Sequence, residues 1–212
     1  EYEPKNIDEF VGNGECVKDL TDWIESDNDQ MAIIYGPPGV GKSLMLKLIK
    51  KQFITVERNI VNATDLTDEQ IGELLKGNVN TKTVLEMFYD TPFFKKAIIL
   101  IDDIENRIGS DKDINLKYKS LMVPGIRVIA TANSNMIKKL NKLKHIKTIE
   151  FKRVESEELK VFINKIVRME RKRAPYDFPE HVFSQSNGDV RATLKNLEIL
   201  LFKNTREVNM AR

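Results

Sequence analysis

Short apolar runs rich in β-branched residues alternate, through most of the chain, with stretches in which apolar positions recur every three to four residues. The runs predict strands at Ala32–Tyr35, near Ile54–Val61, at Ala97–Ile101, at Val128–Thr131 and near Thr148–Phe151. The amphipathic stretches predict helices at Glu15–Ser26, Ser43–Gln52, Asp68–Lys76, Thr83–Tyr89 and Asp113–Leu121. This alternation is the pattern of an α/β fold, a parallel sheet flanked by helices. The unbroken apolar run Ala97–Ile101 predicts a central strand buried on both faces.

After Val154 the strand pattern stops. Ser156 is expected to N-cap a helix, Glu157 and Glu158 suit its positive end, and Leu159, Phe162, Ile163, Ile166 and Val167 form its apolar stripe. That helix should stop before Pro175, with Arg168 and Arg171–Arg173 near its negative end. Two further helices, Pro179–Ser186 and Asp189–Leu201, complete a small bundle. The expected organisation is an α/β domain over residues 1–153 followed by an all-helical domain over residues 154–212.

At 212 residues the chain is long enough to bury a core without disulfides or structural metal. Its 41% hydrophobic and 31% charged content excludes general disorder and collagen-like architecture. A single cysteine, Cys16, and two histidines, His145 and His181, exclude a disulfide framework and a Cys/His metal cluster. They favour a reducing intracellular compartment, the nucleus in a eukaryote and otherwise the cytoplasm. No apolar run approaches the roughly 20 residues that span a bilayer. No signal peptide is visible, and a chain opening on Glu1 instead of Met reads as a processed or truncated piece. The net charge of +2 hides an asymmetry: residues 1–30 hold ten acids against Lys5 and Lys18, whereas residues 138–173 hold thirteen bases against five acids. Such a split marks either a face for nucleic acid or an acidic partner, or solvated helix surfaces.

Chemistry enters at Gly36-Pro37-Pro38-Gly39-Val40-Gly41-Lys42-Ser43, which matches G-x-x-x-x-G-K-[ST] between a predicted strand and a predicted helix. Backbone N–H groups in such a loop surround phosphate oxygens; Lys42 would neutralise the β- and γ-phosphates and the Ser43 hydroxyl would ligate Mg²⁺. Ile98–Asp103 supplies the second half, a buried strand delivering carboxylates at its C-terminal end. Asp102 is placed to hold Mg²⁺ and Asp103 to orient or deprotonate the attacking water. A third strand ends in Asn133, whose amide suits the γ-phosphate or that water, although in isolation it reads equally as a turn residue. Arg191 falls in the first turn of a predicted helix behind an Asp189 cap, where a cation opposes the helix dipole unless it meets a phosphate.

The order of these motifs resembles the AAA+ ATPases, P-loop NTPases with a helical lid, and within them the clamp-loader group. The opening Tyr2-Glu3-Pro4-Lys5-Asn6-Ile7-Asp8-Glu9-Phe10-Val11-Gly12, the Asn62-Ala63-Thr64 triplet and the Ser186-Asn187-Gly188-Asp189-Val190-Arg191 run are similar to segments of replication factor C subunits. The stretch Leu143-Lys144-His145-Ile146-Lys147 stands where small subunits carry an arginine finger, so the likeness is to the large subunit.

The resemblance implies a sensor 1 at Asn133, a sensor 2 at Arg191 and adenine near Tyr2, Val11 and Gly12. It implies ATP and Mg²⁺ as cofactors, and clamp-loader small subunits, a sliding clamp and primer–template DNA as partners. Leu85, Phe88 and Tyr89 fit a clamp-binding motif or a helix core, and Lys112, Lys117 and Lys119 suit DNA or a solvated face. Asp103 stands where glutamate is usual, which implies slow hydrolysis aided by an arginine from a neighbouring subunit. The family's collar domain would lie beyond Arg212. An origin initiator or helicase loader, and an ATP-binding structural subunit, are the competing readings.

Overall fold

Four apolar runs pair into one parallel sheet because each exposes a ladder of backbone groups between faces that helices can cover. A computed structural model describes residues 2–26, 31–53, 97–105, 126–135, 137 and 146–210. In chain order the elements are helix α1 (Gly14–Glu25), strand β1 (Met31–Tyr35), helix α2 (Lys42–Phe53) and strands β2 (Ala97–Ile101), β3 (Ile126–Ala132) and β4 (Ile146–Glu150). Helices α3 (Ser156–Met169), α4 (Phe178–Ser186) and α5 (Val190–Met210) follow. A 3-10 turn over Ile7–Glu9 precedes α1.

The strand order is β2-β3-β1-β4, with Ile33 opposite Ala130 and Thr148, and Ile99 opposite Val128. Ala32, Ile34, Ile129 and Ile149 from the sheet pack with Leu20 and Trp23 of α1 and with Met45, Leu48 and Ile49 of α2. Asn13 joins α1 to the chain leaving β4, its amide donating to the Lys152 carbonyl at 2.9 Å and its carbonyl accepting the Lys152 N–H at 2.7 Å. The acidic opening segment and the basic later one meet at Lys147 and Asp19, 3.5 Å apart and both well exposed.

The three C-terminal helices bury their own cluster of Leu159, Ile163, Ile166, Val182, Leu197 and Leu201, with Val154 joining it from the sheet side. Asn187 (φ 47°) and Gly188 (φ 76°) make the left-handed turn between α4 and α5. The Gly188 carbonyl accepts the Val154 N–H at 3.0 Å, so this turn is tied to the segment joining sheet and helices.

Two expectations are corrected. Ser156 is the first residue of α3 and not its cap: Glu155 holds the cap position, without a side-chain capping bond. Sequence proximity left either residue able to start the helix. Among the described strands, β1 and β3 have neighbours on both sides and Ala97–Ile101 has β3 on one side; the predicted strand that could stand on its other side lies outside the described residues. The last helix runs to Met210 and not Leu201, since neither Gly nor Pro interrupts it. The predicted strand near Ile54–Val61 and helices at Asp68–Lys76, Thr83–Tyr89 and Asp113–Leu121 lie outside the described residues. Among the described residues no helix is long and apolar enough to cross a membrane.

Candidate nucleotide-binding site

The turn leaving β1 is shaped by glycines that nothing else could replace. A Cβ on Gly36 would stand 2.0 Å from the Phe151 carbonyl oxygen, and one on Gly41 would stand 2.6 Å from the Phe10 ring. Phe10 in turn packs edge-on against Phe151 at 5.8 Å, which fixes the wall behind the loop. Helix α2 starts at Lys42, so its unpaired N–H groups and positive dipole end face the loop. The Lys42 ammonium donates to the carbonyls of Gly36 and Pro37, both at 2.9 Å, and is half-buried. Burial lowers its pKa from the ordinary lysine value, and the carboxylates of Asp103, Glu105 and Asp102 oppose that shift.

Strand β3 lies between the loop strand β1 and the carboxylate strand β2, and its C-terminal end cross-braces the acidic segment. The fully buried Thr131 hydroxyl donates to Asp102 Oδ1 at 2.5 Å and accepts the Asp103 N–H at 2.9 Å. Asp103 adopts a left-handed backbone conformation (φ 49°) and its side chain is exposed. Two residues past Thr131, the Asn133 N–H donates to Glu105 Oε1 at 3.0 Å. Ser43 and Asp102 line one cavity together with Lys47 and Leu100. Among the described residues no group of three His, Cys, Asp or Glu side chains forms a metal cluster. A divalent cation here would therefore depend on Ser43, Asp102 and ligand phosphates, the usual manner for Mg²⁺.

Helix α5 closes the site from the other side. Asp189 caps it, Oδ1 accepting the Ala192 N–H at 2.8 Å, while the Val190 N–H donates to the Gly39 carbonyl at 3.2 Å. Arg191 is exposed on the next position and lines a cavity of about 740 Å³ with Tyr2, Phe10, Val11, Val40 and Leu194. The cavity walls are mainly apolar, which suits a planar base beside a phosphate loop.

The structure thus brings together Tyr2, Val11, Gly36–Ser43, Asp102, Asp103, Asn133 and Arg191 around one end of the sheet. Gly12 stands apart from the lining: its φ of 78° turns the chain, and a Cβ there would meet Val154 at 2.5 Å. Leu85, Phe88, Tyr89, Lys112, Lys117 and Lys119 lie outside the described residues. Sequence reasoning missed Phe10, Thr131 and Glu105. Only Glu105 left a signal, a third acid just after Asp102-Asp103.

A strand, glycine-shaped loop and helix with lysine at its start, beside carboxylates at the end of a parallel strand, define a P-loop nucleotide-binding fold. Residues 32–145 match the profile of the ATPase family associated with various cellular activities (AAA), and the chain belongs to that family. It is similar to the replication factor C large subunit of Thermofilum pendens, with 28% identity over 94% of this chain and 48% of the relative. It thus spans about half the length of the curated relatives it matches. Among solved structures it is similar to the Holliday junction branch migration motor RuvB of Thermotoga maritima, with TM-score 0.60 and 17% identity over 93% of this chain and 64% of that one. The replication initiator DnaA bound to AMPPCP and single-stranded DNA gives TM-score 0.65 and 12% identity over 100% of this chain and 69% of that one. These two likenesses concern the fold.

Proposed function

We propose that the chain is the ATP-binding part of a sliding-clamp loader, the counterpart of a replication factor C large subunit. The observation that carries this reading is the seating of the Arg191 helix on the phosphate loop through Val190 and Gly39. A triphosphate spanning Lys42 and Arg191 touches both the sheet and the C-terminal helices, and only such differential contact lets nucleotide state shift their relation. The names of the relatives supply the remainder of the reading, at 22–28% identity.

The residues present fit Mg²⁺-ATP. Lys42 offers a half-buried ammonium held by the loop carbonyls of Gly36 and Pro37, and Thr131 engages Asp102 Oδ1, so that the other Asp102 oxygen would be the one to meet a metal or its water. Mg²⁺ held by Ser43 and Asp102 would neutralise phosphate charge. Asp103 accepts the proton of the attacking water as its oxygen bonds to the γ-phosphorus; the bond to the β,γ-bridging oxygen breaks and its electron pair leaves on ADP. Asp103 is one methylene shorter than glutamate, so turnover is weak in the isolated chain. A trans arginine from a neighbouring small subunit adds roughly 10³–10⁵ in rate.

In the assembly, Leu85, Phe88 and Tyr89 meet the clamp, and Lys112, Lys117 and Lys119 meet the phosphates of primer–template DNA with steep salt dependence. Co-purification with candidate small subunits and a sliding clamp, with and without a non-hydrolysable ATP analogue, tests the reading. A stable nucleotide-dependent complex is expected; binding to neither partner in either state would overturn it.

A further inference from the structure

Glu105 belongs to none of the sequence motifs, yet it is bonded to the residue proposed as sensor. It follows β2 by four positions, and its Oε1 accepts the Asn133 backbone N–H across 28 residues of chain. Its Oε2 is buried and has no hydrogen-bond partner among the described residues. A carboxylate oxygen left so costs about 1–3 kcal/mol or more, so stability alone does not account for an acid at this position. The same carboxylate is near enough to the Lys42 ammonium to favour its charged form, as Asp103 and Asp102 do.

Thr131 braces Asp102 and Asp103 from β3, and Glu105 returns the connection in the opposite direction, from the β2 side to the end of β3. Together these bonds join the end of β3 and the acidic turn in a closed loop of hydrogen bonds. A displacement of about 1 Å between catalytic groups costs on the order of 10²-fold in rate. Structural strain retained beside a reaction centre is a recognised compromise between stability and activity.

We propose that Glu105 is a positioning residue for ATP hydrolysis, holding Asn133 in register with Asp102 and Asp103 at a cost in stability. This rests on the ATPase reading above. It acts through the Asn133 backbone and needs an acceptor there, not a charge.

The test compares E105Q and E105A in the full-length protein as purified with its partners, reading nucleotide Kd, kcat and melting temperature. E105Q keeps an acceptor for the Asn133 N–H and removes the buried charge, so its melting temperature equals or exceeds that of the unsubstituted protein and its kcat stays within about threefold. E105A loses about tenfold or more in kcat with Kd unchanged. Wild-type kcat in E105A overturns the inference alone. Equal losses of kcat in both variants overturn it in favour of proton transfer by Glu105. No turnover in the unsubstituted protein overturns the ATPase reading itself, and this inference with it.

Discussion

The Val190 N–H donates to the Gly39 carbonyl at 3.2 Å, so the helix that carries Arg191 begins on the phosphate loop itself. The Asp189 carboxylate packs so tightly over Gly39 that a Cβ there would stand 2.0 Å from its Oδ1, and Gly39 has φ +80°. Gly39→Ala is therefore expected to lose about 1–3 kcal/mol of stability and about tenfold in nucleotide affinity. Asp189→Ala removes the cap and costs about 1 kcal/mol by itself, yet it also clears the space. In the double variant the two losses should be less than additive, as groups in contact require. Denaturation and fluorescent-nucleotide titration of the four proteins measure this coupling; strict additivity would mean the loop and helix are independent.

Lys42 connects burial to pH. Its pKa is depressed from 10.5 mainly by burial, against the pull of Asp103, Glu105 and Asp102. Between the lowered folded value and the unfolded one, the unfolded chain binds more protons, so this group's contribution to stability rises with pH across that window. Nucleotide affinity moves in the opposite sense, because the phosphates require the ammonium. As pH rises through the lowered pKa, affinity should fall by up to about tenfold per pH unit, beginning earlier than an ordinary lysine would allow. Lys42→Met should abolish most binding and flatten the remaining profile. Titrations from about pH 7 to about pH 10 check it, and a flat profile in the unsubstituted protein would contradict it.

The phosphate loop, both carboxylates and Arg191 were legible because each is a residue type with a narrow chemical use at a fixed distance from a predicted element. Sheet order was not: Ala97–Ile101 is apolar throughout, but apolarity carries no record of which strands stand beside it. Thr131 was invisible for another reason. It sits inside an apolar strand where Thr is an ordinary β-branched residue, and only the partners at its hydroxyl, Asp102 and Asp103, distinguish it. Ser156 was misassigned as a cap because capping depends on backbone angles at Glu155, which neighbouring polar residues leave undetermined.

Arg127 makes a stability prediction away from the site. It is 8% exposed, its Nη1 donates to the Ile24 carbonyl at 2.9 Å, its Nη2 donates to the Trp23 carbonyl, and its guanidinium stacks 3.8 Å above the Trp23 ring. Those carbonyls are in the last turn of α1, the negative end of the helix dipole. Arg127→Met is expected to cost about 2–4 kcal/mol in urea denaturation. Arg127→Lys should recover little, since an ammonium cannot fork to two carbonyls and lie flat on an indole. A loss below about 0.5 kcal/mol in either variant would show that α1 is held by its apolar face alone.

Thr131 offers the sharpest test of the carboxylate brace. Its hydroxyl is both donor to Asp102 and acceptor from the Asp103 N–H, and the side chain is completely buried. Valine has nearly the same shape without the hydroxyl, so Thr131→Val isolates the two hydrogen bonds from packing. Leaving the part-buried Asp103 N–H without its acceptor costs up to about 1–3 kcal/mol of stability. The catalytic consequence is separate: Asp102 and Asp103 lose their common reference point, and turnover should fall about 10–100-fold. Nucleotide affinity measured without divalent cation should change little, because Lys42 and the loop are untouched. Thr131→Ser restores the hydroxyl and should recover most of the rate while leaving a small methyl-sized packing defect. If Thr131→Val turned over ATP at the unsubstituted rate, the bonds would be structural only, and the carboxylates would be positioned by strand β2 without help from β3.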